Sequence, residues 1–295
     1  MTIRVRVGTR RSPLARAQTA AVIDRLARLA PQLRFESVGV ETSGDRDRTP
    51  GRSPDFTDAI DRALLGGDVD LAVHSAKDLP VKPDGRLELT ACPRRANPRD
   101  CLVGGELLRG ARVGSSSLRR RAQLLRWRPD LTVVEVRGNV GTRIELTRSG
   151  AVDAVILAVA GVDRLGRAEE IGTVLPTSAF LPSPAQGALA VVTRRNDTSV
   201  GPVVSRIDHL PTHAAVRAER AFAGALGADC NVPLGCLASV RHGTLSLEGE
   251  VLSPDGRRRL SGHRSGPASA PEGVGAALGQ LLLEGGASEL LGPRP

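Results

Sequence analysis

Apolar and polar residues at the start of the chain follow the pattern of a strand, a turn and a helix. Residues 3–7 alternate between apolar and arginine positions, which predicts a strand. Ser12 suits the cap position of a helix and Pro13 its first position, and an apolar face extends from there to Leu29. A second apolar run at 35–40 predicts another strand, so the chain opens as an α/β unit.

The same alternation continues through the first two thirds of the chain. Helices are predicted at 56–65, 118–126, 141–149 and, as a short piece, after 158. Strands are predicted at 69–73, 87–92, 112–114, 132–136, 154–158 and, beyond a proline-rich break at 182–184, at 188–192. The repetition of strand and helix predicts an α/β architecture.

A different pattern begins after residue 211. Thr212 is positioned to cap a helix that extends to about 226, and a loop that contains Cys230 follows it. Beyond this loop, the pattern predicts strands at 245–251 and 259–263, a turn at 254–256 and a last helix at 271–283. These elements predict a small α+β domain.

The segment 42–55 is unusual because it contains no large apolar residue. Without such residues it has little to bury against a core. A segment of this length is either a functional lid or simply disordered, and the sequence leaves both interpretations open.

Charge and composition limit the kinds of partner. Lys and Arg number 41 against 32 Asp and Glu, so the formal net charge is +9, which points to an anionic partner. The only lysines are Lys77 and Lys82, and nearly all of the positive charge is therefore guanidinium, which binds carboxylates in a bidentate manner. Aromatic residues make up 2% of the chain, which is few for a protein that stacks nucleic-acid bases.

The cysteines and the hydropathy pattern bear on compartment and metal content. Cys92, Cys101, Cys230 and Cys236 have no metal-ligand spacing, so no metal site is expected. No apolar stretch reaches the roughly 18 residues of a membrane span, and the first residues lack a signal-peptide pattern. We expect a cytoplasmic protein with reduced thiols and no membrane partner.

Three predicted turns combine guanidinium groups with the free backbone N–H groups of a helix start. The first turn contains Arg10 and Ser12, the second contains Ser117, Arg119 and Arg120, and the third contains Arg137 and Arg143. Both kinds of group attract anions. Because open α/β sheets bind ligands at the carboxyl ends of their strands, these turns predict an anion-binding site.

Two further residues are candidates for chemistry. Asp78 follows Lys77 just beyond the strand at 69–73, where it is either a catalytic carboxylate or half of a surface ion pair. Cys230 lies in a loop rather than in an apolar run, which makes it a candidate attachment point or nucleophile. The other three cysteines fit the small buried residue that a free cysteine usually is.

Eight segments, in this order, resemble the porphobilinogen deaminase (hydroxymethylbilane synthase) family. They are VGTRRSPLARAQT, TSGD, DLAVHSAKDLP, VGSSSLRRRAQL, VRGNVGTR, AVAGVDRLG, AQGALAV and ERAF followed by DCNVPLGC. The resemblance extends from residue 3 to about residue 238.

The resemblance implies an α/β fold of three domains. Two would be doubly wound domains like those of periplasmic binding proteins, and the third a small C-terminal α+β domain that carries a cofactor cysteine. The implied boundaries are residues 1–94 with 188–208 for domain one, 98–186 for domain two and 212–295 for domain three. A monomer is the family expectation.

The resemblance also implies a reaction of haem biosynthesis. These transferases join four porphobilinogen molecules head to tail with loss of ammonia, and release linear hydroxymethylbilane by hydrolysis. Cys230 matches the cysteine whose sulfur carries a covalent dipyrromethane cofactor, and Asp78 matches the catalytic carboxylate. Cofactor-binding positions are matched by Lys77, Ser117, Arg119, Arg120, Arg137, Arg164 and Gln186, and substrate-binding positions by Arg10, Ser12 and Arg143.

The chain departs from the family pattern in places. Its lid is short and carries Arg46, Arg48 and Arg52 instead of glycines and a lysine, and the next helix starts with Phe-Thr-Asp-Ala at 56–59. At the interdomain hinge, Ala185-Gln186-Gly187 stands where Gly-Gln-Gly is usual, and Thr193 stands where an acidic residue is common.

Two alternatives remain besides an enzyme. A non-catalytic small-anion-binding protein of the same fold would have no use for Cys230 or Asp78. A nucleic-acid binder would account for the net charge, but the chain lacks a basic helix of the usual kind.

Overall fold

The structure is a computed structural model, and it describes residues 3–46, 56–227 and 232–291. The strands are β1 (Ile3–Arg10), β2 (Leu33–Val40), β3 (Leu71–Ser75), β4 (Leu87–Ala91), β5 (Asp100–Gly104), β6 (Arg112–Gly114), β7 (Thr132–Val134), β8 (Ala154–Ala158), β9 (Ile171–Val174), β10 (Leu189–Arg194), β11 (Leu234–Arg241), β12 (Thr244–Leu252) and β13 (Arg259–Pro267). The α-helices are α1 (Pro13–Leu29), α2 (Ser43–Arg46), α3 (Asp58–Leu65), α4 (Leu118–Trp127), α5 (Val140–Arg148), α6 (Val159–Arg164), α7 (Gly201–Val204), α8 (Leu210–Ala225), α9 (Pro271–Glu284) and α10 (Ala287–Leu291). None of the helices in the described ranges is long and apolar enough to cross a membrane.

The chain divides into two compact units. The first comprises Met1–Arg95 and Ala188–His213, and the second comprises Ala96–Gly187 and Ala214–Pro295. The second unit contains both the segment expected to form domain two and most of the segment expected to form domain three. The three-domain boundaries therefore stay a prediction.

The first unit is built on a five-stranded sheet in the order β2-β1-β3-β10-β4. Strand β1 is parallel to both β2 and β3, whereas β10 is antiparallel to β3 and β4. Its core contains Val7, Val22, Leu26, Leu71 and Val191, which come from β1, α1, β3 and β10. Strand β10 thus completes a sheet whose other strands all lie in the first 91 residues.

The second unit contains a sheet with the same arrangement, in the order β7-β6-β8-β5-β9. Strand β6 is parallel to β7 and β8, and β5 is antiparallel to β8 and β9. In both sheets, three parallel strands are followed by one antiparallel strand and an edge strand. The repeated arrangement confirms the expected pair of α/β sheets.

Local sequence accounts for the starts of three helices beside these sheets. The side chain of Ser12 accepts a hydrogen bond from the N–H of Ala15 at 3.3 Å, and Pro13 occupies the first turn of α1. Ser117 and Asn139 cap α4 and α5 in the same way. Each cap follows a parallel strand, so it fixes where the chain leaves the sheet.

The C-terminal part of the second unit is a three-stranded antiparallel sheet, β11-β12-β13, packed against helices. Phe222 of α8 lies against Gly249 of β12, where an added Cβ would come within 2.5 Å of the ring. Leu245, Leu247 and Leu278 complete this core. The expected small α+β region is therefore present.

Several local expectations need correction. Strands β5, β9 and β11 were not predicted from the sequence, because their apolar runs are short or interrupted by charge. Thr212 does not cap α8, which begins at Leu210; instead the Nδ1 atom of His209 accepts from the N–H of Thr212 at 3.3 Å. The segment that starts at Thr42 was expected to have nothing to pack, yet Thr42 is fully buried and Ser43–Arg46 is helical.

Helix α9 approaches α8 closely enough to test the packing of the C-terminal core. A Cβ at Gly275 would lie 2.1 Å from the carbonyl oxygen of Ala218, whereas a Cβ at Gly273 would meet nothing within 4 Å. We expect Gly275→Ala to lower the free energy of unfolding by about 1–3 kcal/mol, because the clash is with backbone. Gly273→Ala, on the same helix, should raise it by up to about 1 kcal/mol. Urea unfolding followed by circular dichroism would measure both, and equal effects of the two substitutions would contradict the close approach.

Candidate functional site

In the second unit, the candidate residues lie beyond the carboxyl ends of three neighbouring parallel strands. Strand β6 leads to Ser117, β7 leads to Arg137, and β8 leads through α6 to Arg164. Parallel strands that pair with one another end at the same edge of a sheet. The structure therefore gathers the second and third predicted anion turns at one edge.

The polar groups of these turns first organise the turns themselves. The Oγ atom of Ser117 accepts from the N–H of Arg120 at 3.4 Å, and the Oδ1 atom of Asn139 accepts from the N–H of Thr142 at 2.9 Å. These caps use side chains of the protein to satisfy N–H groups that open helix ends leave without partners. They leave the guanidinium groups as the principal candidates for anion binding.

A buried carboxylate holds two of these guanidinium groups. Asp100, the first residue of β5, has no exposed surface. Its Oδ2 atom accepts from Nη1 of Arg119 at 2.7 Å, and its Oδ1 atom accepts from Nε and Nη2 of Arg120 at 3.1 and 2.8 Å. Arg119 and Arg120 are themselves buried. Their positions are therefore set by an ion pair inside the protein.

The same pairing shifts the pKa of each partner. Burial alone would raise the pKa of Asp100, but the charges and hydrogen bonds of Arg119 and Arg120 outweigh it and hold that pKa far below its ordinary value. Burial, together with repulsion by Arg120, lowers the pKa of Arg119 despite the attraction of Asp100. An arginine starts from so high a value that Arg119 still carries its charge at neutral pH.

Gln186 belongs to the same cluster. Its Nε2 atom donates to Oδ1 of Asp100 at 2.9 Å and to the carbonyl of Pro98 at 2.7 Å. The residue that follows, Gly187, has a positive φ of 84° and a Cβ there would lie 2.8 Å from a carbonyl oxygen, so glycine is required. Arg164 donates from Nη2 to the carbonyl of Gly187 at 2.8 Å. Two predicted cofactor-binding residues thus stabilise one turn, residues 183–187, which we call the Gln186 turn.

Arg143 contributes a third guanidinium group near this cluster. Its Nη2 atom donates to Oγ of Ser116 at 3.3 Å. Burial, together with the nearby charge of Arg120, lowers the pKa of Arg143 to about 10, which leaves it protonated at neutral pH. The Nε atoms of Arg143 and of Arg119 are buried and have no hydrogen-bond acceptor among the described residues. Two guanidinium groups therefore share the carboxylate of Asp100 and a third lies near Arg120, and Arg119 and Arg143 each keep a buried donor without an acceptor among the described residues.

Arg137 has a different environment from Arg119, Arg120 and Arg143. It is exposed and donates from Nε and Nη2 to Oε1 of Glu135 at 3.0 and 2.7 Å. A surface pair of this kind is weak and readily exchanged for another anion. The structure thus places Arg137 at the predicted sheet edge, in a surface ion pair with Glu135.

In the first unit, the candidate residues again follow neighbouring parallel strands. Arg10 ends β1, and its guanidinium carbon lies 3.8 Å from the centroid of the Phe56 ring, a cation–π contact. Ser12 caps α1. Lys77 and Asp78 lie in a single 3-10 turn, Ala76–Asp78, directly after β3, with Lys77 exposed and Asp78 half-buried. Because β1 and β3 are paired in parallel, these residues share one sheet edge.

A hydrogen bond steadies the strand end that precedes Asp78. The amide of Gln18 in α1 and the hydroxyl of Ser75 are 3.0–3.2 Å apart. Beyond it, the N–H of Ala76 donates to the carbonyl of Ala188 at 3.0 Å. The short turn that carries Asp78 is therefore anchored to both α1 and the chain that enters β10.

The cysteines divide as the sequence predicted, as far as the structure describes them. Cys92, Cys101 and Cys236 are fully buried, and burial raises the pKa of the Cys101 thiol to about 12. Cys230 lies outside the described residues, as do Arg48, Arg52 and the side chain of Arg46. The segment with Cys230 connects α8 to β11.

Sequence reasoning missed several charged and polar members of the site. Asp100 heads an apolar strand, and Glu250 lies within β12, where its Oε1 atom accepts from Nε2 of Gln123 at 2.7 Å. Gln123 in turn accepts from Nη1 of Arg119 at 2.8 Å. A signal existed, because a charged residue in an apolar strand requires a buried partner. The sequence could not identify that partner.

Comparison with protein families gives two matches that together span most of the chain. Residues 5–201 match the family model described as "Porphobilinogen deaminase, dipyromethane cofactor binding domain". Residues 213–284 match the family model described as "Porphobilinogen deaminase, C-terminal domain". The boundary between the two matches falls near the start of α8.

Curated relatives match over nearly their full length. A porphobilinogen deaminase of Thermus thermophilus is 42% identical over 292 residues, which cover 97% of each chain. One from Desulforudis audaxviator is 44% identical over 97% of this chain and 96% of its own, and one from Roseiflexus castenholzii is 43% identical over 97% of both.

Removal of the Asp100 charge should reveal its role in stability. We expect Asp100→Asn to lower the free energy of unfolding at pH 7 by about 3–5 kcal/mol, because Arg119 and Arg120 would lose their buried counter-charge. The folded state depresses the pKa of Asp100, so its contribution is complete above the unfolded pKa of about 3.9 and is lost as the pH falls further. The difference between the two proteins in urea unfolding should therefore be constant from pH 6 to 8 and shrink below about pH 4. A difference independent of pH down to pH 2 would contradict this assignment.

Proposed function

The chain belongs to the porphobilinogen deaminase family, and we propose that it builds hydroxymethylbilane by adding four porphobilinogen molecules in turn to a dipyrromethane cofactor held on Cys230. In each addition, the C–N bond of the aminomethyl group breaks and ammonia leaves. A new C–C bond forms to the terminal ring of the growing chain, which loses a proton. Water then releases the linear tetrapyrrole.

The excess of buried positive charge carries this proposal. Arg119 and Arg120 share one carboxylate, Asp100, whereas the guanidinium group of Arg143 donates to Ser116 and lies near the charge of Arg120. The Nε atoms of Arg119 and Arg143 have no acceptor among the described residues. Leaving charged donors buried without partners is unfavourable. Each pyrrole ring of the cofactor and substrate carries two carboxylates, which would supply the missing acceptors.

The donor set therefore suits dipyrromethane. Cys230 would provide the covalent attachment, and carboxylates of the bound rings would be held by Lys77, Ser117, Arg119, Arg120, Arg137, Arg164 and Gln186. When bound, this group supplies a reactive ring carbon to which the first substrate is joined. Arg119, Arg120 and Arg164 have defined positions before any ligand arrives, because Asp100 orients the first two and the Gln186 turn accepts from the third. Binding then needs little reorganisation of the protein.

Asp78 would provide the charge for the chemical step. Loss of ammonia from porphobilinogen leaves a delocalised cation, and a carboxylate at a defined distance stabilises that charge as it develops. Asp78 could also move a proton to the departing amine or from the newly joined ring. Its place in a short turn anchored by Ala76 and Ser75 supports this role, because a charge held in one position stabilises the developing cation more than a mobile charge does.

The first unit would also recognise the substrate. Arg10 and Ser12 follow β1 as Lys77 and Asp78 follow β3. We propose that Arg10 and Ser12, together with Arg143, hold the acetate and propionate groups of porphobilinogen. Guanidinium groups suit this task because they bind carboxylates through two parallel hydrogen bonds.

The covalent cofactor can be tested by intact mass. We expect the purified protein to be heavier than its sequence by a two-ring pyrrole adduct and to convert porphobilinogen into a linear tetrapyrrole. Cys230→Ser should lack both the adduct and the activity. Cys92→Ala is the matched control and should keep both, because Cys92 is fully buried. An active preparation with the mass of the bare chain would contradict the proposal, and reversible anion binding without turnover would favour a non-catalytic binding protein.

The role of Asp78 can be tested by separating charge from shape. Asp78→Asn keeps the shape and removes the charge, so we expect the adduct to be retained while turnover falls by about a hundredfold or more. Asp78→Glu keeps the charge but displaces it by one methylene, and should retain a small activity. A surface ion pair would instead change only stability, by about 0–1 kcal/mol. Turnover of Asp78→Asn within about twofold of the unchanged protein would remove Asp78 from the mechanism.

A further inference from the structure

Glu219 is a fully buried carboxylate that joins two distant segments of the second unit. It lies on α8 and has no exposed surface. Its Oε2 atom accepts from the backbone N–H of Ala185 at 2.6 Å, and its Oε1 atom accepts from the backbone N–H of Ala238 at 2.7 Å. Hydrogen bonds to a charged acceptor in a buried setting are among the strongest in a protein.

The backbone that Glu219 holds at Ala185 is strained. Ala185 has a φ of +59°, in the left-handed region that side chains other than glycine rarely adopt. The other two non-glycine residues of positive φ in the described ranges are Asn196 and His242, which are types that tolerate this region better. Ala185 has no polar side chain to compensate for the strain. The hydrogen bond from its N–H to Glu219 is therefore a direct stabilisation of this conformation.

The conformation of Ala185 sets the direction of the next residue. Gln186 donates to Asp100, and Asp100 orients Arg119 and Arg120. If Ala185 relaxed to an ordinary negative φ, the chain would turn differently and the side chain of Gln186 would leave Asp100. Glu219 is thus connected through the Gln186 turn to the paired guanidinium groups.

The second oxygen of Glu219 reaches a different part of the same unit. Ala238 lies in β11, the strand that follows the segment with Cys230. One carboxylate therefore holds both the strand that follows the attachment cysteine and the turn that supports the guanidinium pair.

We propose that Glu219 is a positioning residue for the cofactor site, because it fixes Ala185 in the left-handed conformation and sets the Gln186 turn relative to β11. This inference rests on the proposed function. Glu219 does not touch the reacting atoms; it acts through Gln186 and Asp100 on the two arginines.

The test begins with Glu219→Gln. An amide of the same shape has one acceptor oxygen, so its NH₂ group must face the N–H of either Ala185 or Ala238 and one hydrogen bond is lost. We expect the turnover rate to fall by about tenfold or more. We also expect a smaller share of chains to carry the adduct by intact mass, and faster hydrogen exchange in the Gln186 turn, measured in a Cys230→Ser background that has no adduct.

A glycine substitution then distinguishes positioning from a general loss of stability. In Glu219→Gln, the further change Ala185→Gly removes the cost of the left-handed conformation and should restore turnover by about fivefold and raise the adduct share. The change His242→Gly relieves the same kind of backbone strain in the exposed turn between β11 and β12. It should restore neither property.

The outcomes separate this inference from the proposed function. Rescue by Ala185→Gly and not by His242→Gly supports a positioning role. Equal rescue by both, or full activity and full adduct in Glu219→Gln, overturns it. If the unchanged protein itself carries no adduct and makes no tetrapyrrole, the proposed function fails, whereas the hydrogen-exchange comparison still reports whether Glu219 holds the turn.

Discussion

The second unit of this protein depends on one buried carboxylate. Asp100 accepts hydrogen bonds from Arg119, Arg120 and Gln186, which come from helix α4 and from the Gln186 turn. A charge removed from water is tolerated only when opposite charges and hydrogen-bond donors surround it. Strand β5, helix α4 and the Gln186 turn must therefore adopt one mutual arrangement as the unit folds. The positions of the arginines follow from that arrangement and do not wait for a ligand.

The balance of charge around Asp100 connects stability with function. Asp100 balances the charge of the buried Arg119 and Arg120, but it does not provide an acceptor for the Nε atom of Arg119. Arg143 adds further positive charge near Arg120. Guanidinium suits this situation better than an ammonium group, because it stays charged when buried and can divide its donors between a structural carboxylate and a ligand. The same residues can thus support the fold and attract carboxylates of a substrate.

The two α/β sheets explain why candidate residues occur in both units. Each sheet has three adjacent parallel strands; five of these six strands lead into α-helices and β3 leads into a 3-10 turn. Side chains of Ser12, Ser117 and Asn139 cap the helices that follow β1, β6 and β7, and so fix where each of these helices begins. Residues of anion-binding type follow the carboxyl ends of the strands in both sheets, where an α/β fold leaves space for a ligand.

Local chemistry let the sequence by itself determine the α/β units, the cap at Ser12, the family, and the grouping of arginines in turns after strands. These features depend on residues a few positions apart, and hydrophobic periodicity and capping are read over that distance. Only the tertiary structure decided which charges meet. Asp100 accepts hydrogen bonds from Arg119, which is 19 positions away in the sequence, and from Gln186, which is 86 positions away. Glu219 and Ala185, which are also hydrogen-bonded, are 34 positions apart. The left-handed conformation of Ala185 was equally hidden, because alanine has no local preference for it and only long-range hydrogen bonding can hold it there.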